Sequence, residues 1–140
     1  MPHYRSGYRA AVRAALGADP GFADVTVMKV WPGSVDVHTL PVLGVVTPNE
    51  PTSRDSQKST TRRTLLQVVL RRVGGDDVED RLDDDSAVIE ALVYGALRGP
   101  ELKCQLEDTS VVAHTQAESI VGTLIMSFRV QSWQPEPTLP

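Results

Sequence analysis

Hydrophobic residues recur at helical spacing near the start of the chain. Tyr4, Tyr8 and Val12 lie on one stripe, and Gly17 interrupts the pattern soon afterwards. Apolar positions three and four apart share one face of a helix, so we predict a helix over residues 3–16.

Three arginines, Arg5, Arg9 and Arg13, form a row beside that apolar stripe. Like charges four positions apart repel one another by a few tenths of a kcal/mol in an isolated helix. The row therefore favours an acidic partner without requiring one. The alternative is a helix flank that is simply solvated.

Shorter apolar runs farther along the chain predict a sheet. Residues 25–31 and 40–47 each have the length and composition of a strand. Residues 64–73 are apolar on both faces for much of their length, which predicts a central strand. Residues 119–133 alternate between apolar and polar and predict a long half-exposed strand, with residues 104–112 as its hairpin partner.

A second helix is predicted between the central strand and that hairpin. Gly74 ends the strand, and Asp76 with Glu79 three positions later has the spacing of an N-cap and its capping-box partner. Gly99, followed by proline, marks the end of the helix. Asp85 falls within the apolar stripe. Because a carboxylate is costly to bury there, we expect a kink or a fresh N-cap at that point.

Residues 48–63 contain no aliphatic or aromatic side chain, although apolar runs precede and follow them. A segment that cannot be buried predicts a long solvated loop projecting from the sheet. Its hydroxyls, amides and mixed charges suit docking onto another protein better than bond-breaking chemistry. The alternative is a solvated hairpin tip with no partner. The candidate docking residues are Arg54, Asp55, Lys58, Arg62 and Arg63.

Length and composition limit the remaining possibilities. The chain has 140 residues and predicts one domain over residues 1–133, followed by a Pro-rich flexible tail at 134–140. The formal net charge is −4, which disfavours a dedicated nucleic-acid-binding protein. Cys104 is the only cysteine, so no intrachain disulfide forms. No apolar run reaches transmembrane length and no signal peptide is visible, so we expect a soluble protein with no membrane partner.

No motif defines an enzyme. The acidic segment from Asp76 to Asp85 resembles a magnesium-binding DDxxD pattern, but acidic residues near a helix start are also favoured by the helix dipole. The histidines lack metal-ligand spacing, and the nucleophile elbow and phosphate-binding glycine loops are absent. We therefore assign no catalytic, cofactor-binding or metal-ligating residue and no cofactor, and we expect a protein that is not an enzyme. A small metal-dependent enzyme built on residues 76–85 is the alternative from a different class.

The order of these elements resembles that of a known family. An N-terminal amphipathic helix (RAAVRAALG), a strand (LPVLGVVT), a polar loop, a central strand (TLLQVVLRRV), one long helix and a closing strand (GTLIMSFRV) follow one another. This order is similar to that of tail terminator proteins of long-tailed bacteriophages, the minor tail protein U family, and of the equivalent neck proteins of gene transfer agents. The resemblance covers residues 9–133 and rests on element order and size.

The resemblance implies an α+β fold, with a small, mostly antiparallel sheet and helices packed on one side. It also implies a hexameric ring that caps the tail tube, stops its polymerisation and contacts head-completion or neck proteins. Such a ring is assembled in the host cytoplasm and lies at the head-proximal end of the virion tail, where double-stranded DNA passes through without specific binding. The polar loop and the Pro-rich tail depart from the family by their length.

Two further expectations follow from the resemblance. The polar loop is expected to dock on the major tail tube protein. A ring subunit needs two different complementary patches, and the candidates for this subunit interface are Arg5, Arg9 and Arg13 with Asp80, Asp83 and Asp84. Another component of the phage neck or head-tail connector is the alternative within the structural class.

Overall fold

The computed structural model describes residues 3–31 and 36–139. In these ranges the chain has an α+β architecture of two helices, six strands and two short 3₁₀ turns. The helices are α1 (Tyr4–Ala18) and α2 (Val78–Leu97), and the strands are β1 (Thr26–Met28), β2 (Val42–Asn49), β3 (Thr52–Arg54), β4 (Ser59–Gly74), β5 (Leu102–Gln116) and β6 (Ser119–Pro135). The predicted fold class is confirmed.

The strands form one sheet in the order β1-β2-β4-β6-β5, with β3 paired to β4 beyond the end of β2. The β1–β2 pair is parallel and all the other pairs are antiparallel. β4 lies between β2 and β6, as expected for the apolar central strand, and β5 forms one edge of the sheet.

Both helices pack against one face of the sheet, as predicted. Val12 and Leu16 of α1 and Ile89 and Val93 of α2 are fully buried, in a core that includes Leu66, Val68 and Leu70 of β4. Burial of these side chains supplies the main stabilisation of the fold, at roughly 1.5–3 kcal/mol per large aliphatic or aromatic residue.

The opposite face of the sheet carries no helix in the described part of the chain. Gly44 lets the ring of Trp31 lie directly on β2, where an added Cβ would overlap the ring. The guanidinium of Arg71 lies 5.3 Å from the centre of the same ring, at cation–π distance. Gln67 donates to the Ser127 hydroxyl across β4 and β6 at 3.1 Å.

β5 contains a bulge at Glu107. Leu106 pairs with Phe128 and Asp108 pairs with Ser127, so Glu107 is an extra residue without a partner in the ladder. Its carboxylate instead binds Arg129, with 2.7 Å between Oε1 and Nε. Before the bulge the even-numbered residues face the helices, and after it the odd-numbered residues do.

The segment predicted as a loop over residues 48–63 is mostly β-structure. β2 extends to Asn49, and Thr52 to Arg54 pair with Arg62 to Thr60 as a ribbon that continues the sheet. Residues 50–51 connect β2 to β3, and residues 55–58 form the tip between β3 and β4. The prediction is wrong because backbone hydrogen bonds, together with the β-propensity of threonine, hold a ribbon that needs no buried side chain.

The tail prediction also needs correction at its start. β6 continues to Pro135, opposite Ser59, and the amide of Glu136 donates to the Lys58 carbonyl at 3.0 Å. The first part of the Pro-rich segment is therefore an ordered strand against the hairpin.

α2 is continuous through Asp85, so the predicted kink or fresh N-cap is wrong. The N-cap is Asp77 rather than Asp76, and its side chain makes no capping hydrogen bond. Asp85 is tolerated in the buried stripe because Arg72 of β4 reaches it, with Nε 2.7 Å from Oδ2 and Nη2 3.3 Å from Oδ1.

Candidate functional site

Three parts of the chain meet around a groove at the hairpin end of the sheet. The start of α1 forms one wall, β4 forms the floor, and the end of β6 forms the rim. The cavity measures about 550 Å³. We name this cavity the basic groove; its lining residues are His3, Tyr4, Arg5, Arg62, Gln134, Pro135 and Pro137.

A buried carboxylate lies beside the groove. The Glu50 side chain is only 5% exposed and accepts hydrogen bonds from the Tyr4 hydroxyl, at 2.6 Å, and from the Thr64 hydroxyl. These bonds tie the start of α1 and β4 to the short connection between β2 and β3. Burial raises the pKa of Tyr4 to about 12, and the hydrogen bond to Glu50 and its charge act in the same direction.

Two guanidinium groups flank the same carboxylate without bonding to it. Nη1 of Arg62 lies 3.8 Å from Glu50 Oε2, and Nη1 of Arg5 lies 4.0 Å from it. Nε of Arg62 is buried and has no hydrogen-bond partner among the described residues. Two cations against one carboxylate leave one net positive charge, with N–H donors still available to a further anion.

The first turn of α1 adds to this positive potential. His3 is the N-cap, and its Nδ1 accepts from the Arg5 amide at 3.1 Å. The first turn contains no acidic residue, so the positive end of the helix dipole is not offset by α1 itself. The groove is therefore suited to receive a carboxylate or another small anionic group.

The predicted docking residues separate into two sets. Arg62 points inward to the groove, and Asp55 accepts a hydrogen bond from the Thr61 hydroxyl within the hairpin. Arg54, Lys58 and Arg63 are exposed, and Arg54 lies 3.5 Å from Glu136 in an exposed ion pair. Exposed pairs of this kind contribute about 0–1 kcal/mol, so the hairpin still presents its cations to solvent.

The predicted basic row on α1 is also divided. Arg5 belongs to the groove, whereas Arg9 donates to the Thr47 and Ser6 hydroxyls. Arg13 makes no hydrogen bond or ion pair with the part of the chain that the structure describes. The structure thus brings Arg5 together with Arg62, two residues that the sequence had assigned to different surfaces.

The acidic candidates lie at the other end of the sheet. Asp80, Asp83 and Asp84 are exposed on the first half of α2, which starts just after Gly74 at the end of β4. Gly74 is twelve positions beyond Arg62 on that strand, which corresponds to about 40 Å. The acidic segment and the basic groove are therefore at opposite ends of one subunit.

The carboxylates of residues 76–85 do not converge. Within residues 3–31 and 36–139, no three His, Cys, Asp or Glu side chains are grouped as metal ligands would be. The Asp85 carboxylate is already paired with Arg72. No helix in the described ranges is long and apolar enough to cross a membrane.

Sequence reasoning missed Glu50, the residue around which the groove is built. Its only signal is position: it is one of two carboxylates in a segment with four cations, between Pro48 and Pro51. Nothing in that pattern shows that it is buried, because the atoms that bury it come from α1 and β4.

Comparisons with known proteins give similarity in structure only. The sequence matches no protein-family model and no curated protein. Among solved structures, the fold is similar to that of a chain in the virion of a native gene transfer agent particle, with 17% identity and a TM-score of 0.48 over 89% of this chain and 94% of that chain. Similarity at this level assigns no function to the residues described above.

Proposed function

We propose that this chain is a structural virion protein, a ring-forming tail terminator that caps a tail tube and stops its polymerisation. In this role it provides the interface to head-completion or neck proteins at the head-proximal end of the tail. The order of elements described from the sequence supports this role, and the fold has the expected class.

The opposed charges of the two ends carry the proposal. A terminator subunit must make different contacts with the tail tube and with its neighbours in the ring. The hairpin end presents Arg54, Lys58 and Arg63, and the far end presents the carboxylates of residues 76–84. Two chemically distinct ends would allow one subunit to make both contacts without confusing them.

We assign the hairpin end to the major tail tube protein. The β3–β4 ribbon extends beyond the end of β2. Pairing of β4 with β6 restricts the motion of the ribbon, so the positions of its cations are well defined. A hexameric ring would repeat the hairpin six times around the tube end. DNA passing through such a ring would not be held tightly, because each chain carries a net charge of −4.

The test replaces Arg54, Lys58 and Arg63 with serine in the gene for this chain, and particles are then assembled with the variant protein. Arg62 is left in place because it lies in the groove. We expect overlong or uncapped tubes in electron micrographs. The free energy of unfolding should change by less than about 1 kcal/mol, because the three side chains are exposed.

The matched control removes three cations elsewhere, the exposed Lys29 and Lys103 and the partly exposed Arg13, by the same substitution. Tail lengths should then remain normal. If the hairpin variant is incorporated into particles and tail lengths are normal, the hairpin does not meet the tube and the assignment of that end is wrong.

A further inference from the structure

We propose that the basic groove binds carboxylates from the acidic segment, residues 76–84, of a second copy of this chain. Copies would then associate head to tail. The inference deepens the proposed ring assembly and names the residues that would form its subunit contact.

The groove has the chemistry of a carboxylate site. Arg5 and Arg62 both line the groove with side chains that are 40% and 23% exposed, and Nη1 of each lies too far from Glu50 for a hydrogen bond. A guanidinium binds a carboxylate through two parallel N–H donors, and such charge-assisted bonds are stronger than neutral ones. Glu50 orients the two cations but neutralises only one of them.

The shape of the groove favours a protein segment over a nucleic acid. Its rim contains Pro135, Pro137 and the ring of Tyr4, which give apolar contact to a peptide. A volume of about 550 Å³ accommodates a few side chains from one helical turn. A DNA duplex would in addition meet a chain with a net charge of −4.

The chain itself carries the complementary surface. Residues 76–84 contain six carboxylates and a single cation, Arg81. Asp80, Asp83 and Asp84 are exposed, and their carboxylates have no partner within the described ranges. The like charges of the segment repel one another, and pairing them with cations would remove that repulsion. The groove of the same subunit is ten to twelve positions away along β4, which corresponds to about 30–40 Å. Only another copy can bring the two surfaces together.

Such a contact joins two different surfaces, so it is heterologous. After the first contact, one subunit of the pair keeps a free groove and the other keeps a free acidic segment, so addition continues until the ring closes. An isologous dimer has no free contact surface left and would not grow further, so continued growth distinguishes the two modes of association.

The experiment uses the purified full chain and sedimentation equilibrium over a range of concentrations. The acidic variant replaces Asp80, Asp83 and Asp84 with asparagine. The groove variant replaces Arg5 and Arg62 with glutamine. A second groove variant, Gln134→Glu, leaves both arginines in place and supplies a carboxylate within the groove, which covers the case in which loss of Arg62 prevents folding.

We expect the wild-type mass to rise with concentration beyond that of a dimer, and each variant alone to associate at least tenfold more weakly. An equal mixture of the acidic variant with a groove variant should stop at dimers, because it retains one intact contact. Neutralising Glu90, Glu101 and Asp108 makes the same change in net charge and should leave association unaltered.

Several outcomes overturn the inference. These are a wild-type chain that stays monomeric up to its solubility limit, an acidic variant that associates like wild type, and a mixture that forms no dimers. Gel-shift titration with duplex DNA is run on the same proteins, and tight binding that the groove variants abolish would assign the groove to phosphates instead. Tail length in the hairpin variant is measured separately, so either result can fail without the other.

Discussion

The ion pair between Arg72 and Asp85 gives a strong test of how α2 is attached to the sheet. The Arg72 side chain is 3% exposed and that of Asp85 is 13% exposed. Two N–H donors of Arg72 reach the two carboxylate oxygens. We expect Asp85→Ala to be one of the most destabilising single changes outside the apolar core, because the buried guanidinium of Arg72 loses the carboxylate that it is paired with.

The magnitude follows from what remains around Arg72. Removing one member of a buried ion pair costs about 3–5 kcal/mol. Arg72 retains a contact with Asp24, at 3.6 Å, but Asp24 is 57% exposed and contributes little. We therefore expect a loss of about 3 kcal/mol. At roughly 3 °C per kcal/mol for a chain of this size, the Tm should fall by about 10 °C.

Urea and thermal unfolding of Asp85→Ala measure this loss directly. Asp84→Ala is the matched control, since it removes the neighbouring carboxylate, which is exposed and unpaired in the described structure. It should change stability by less than about 0.5 kcal/mol. Arg72→Met combined with Asp85→Ala should be at least as stable as Asp85→Ala alone, because the unpaired charge is gone. Equal effects of the Asp85 and Asp84 variants would refute the reasoning.

Three further predictions concern single side chains. Because the raised pKa of Tyr4 favours its neutral form, its contribution to stability should be complete below pH 10.0 and disappear as the pH approaches about 12. Tyr4→Phe should flatten that part of a pH–stability curve, and an unchanged curve would contradict the bond to Glu50. Burial raises the pKa of Cys104 to about 11, so iodoacetamide should label it only after unfolding, whereas rapid native labelling would contradict its burial. Gly44→Ala should displace the ring of Trp31, shift its fluorescence to the red and cost roughly 1–3 kcal/mol. An unshifted spectrum, compared in a background that lacks Trp133, would show that the ring does not lie on β2.

Long periodic segments are the part of the fold that the sequence predicts well. α1, β4 and β6 each repeat one pattern over many residues, so their positions follow from burial alone. The β3–β4 ribbon carries no such signal, because its strands are polar on both sides. Its pairing depends on backbone hydrogen bonds with β6, and the composition of residues 48–63 does not reveal these.

The candidate site was harder to predict for a related reason. Its residues are far apart in the chain: Arg5 and Arg62 meet only because α1 begins over the first part of β4. Asp85 shows the same limit. A carboxylate in an apolar stripe suggested a break in the helix. The helix is instead continuous, because Arg72, thirteen positions earlier, pairs with the Asp85 carboxylate. Which strand residue faces which helix turn is settled by tertiary packing, and the helical and strand periods do not encode it.

The bulge at Glu107 makes β5 unequally sensitive to changes in length. Deleting a ladder residue of β5 away from the bulge would shift one side of the strand by one position and exchange its core-facing and outward-facing side chains. Deleting Glu107 would instead leave Leu106 next to Asp108, already paired with the adjacent residues Phe128 and Ser127. Both halves of the strand would keep their present orientation, and the direct loss would be the ion pair with Arg129. The bulge is therefore the place in this strand where a chain shorter by one residue can preserve the same inside and outside.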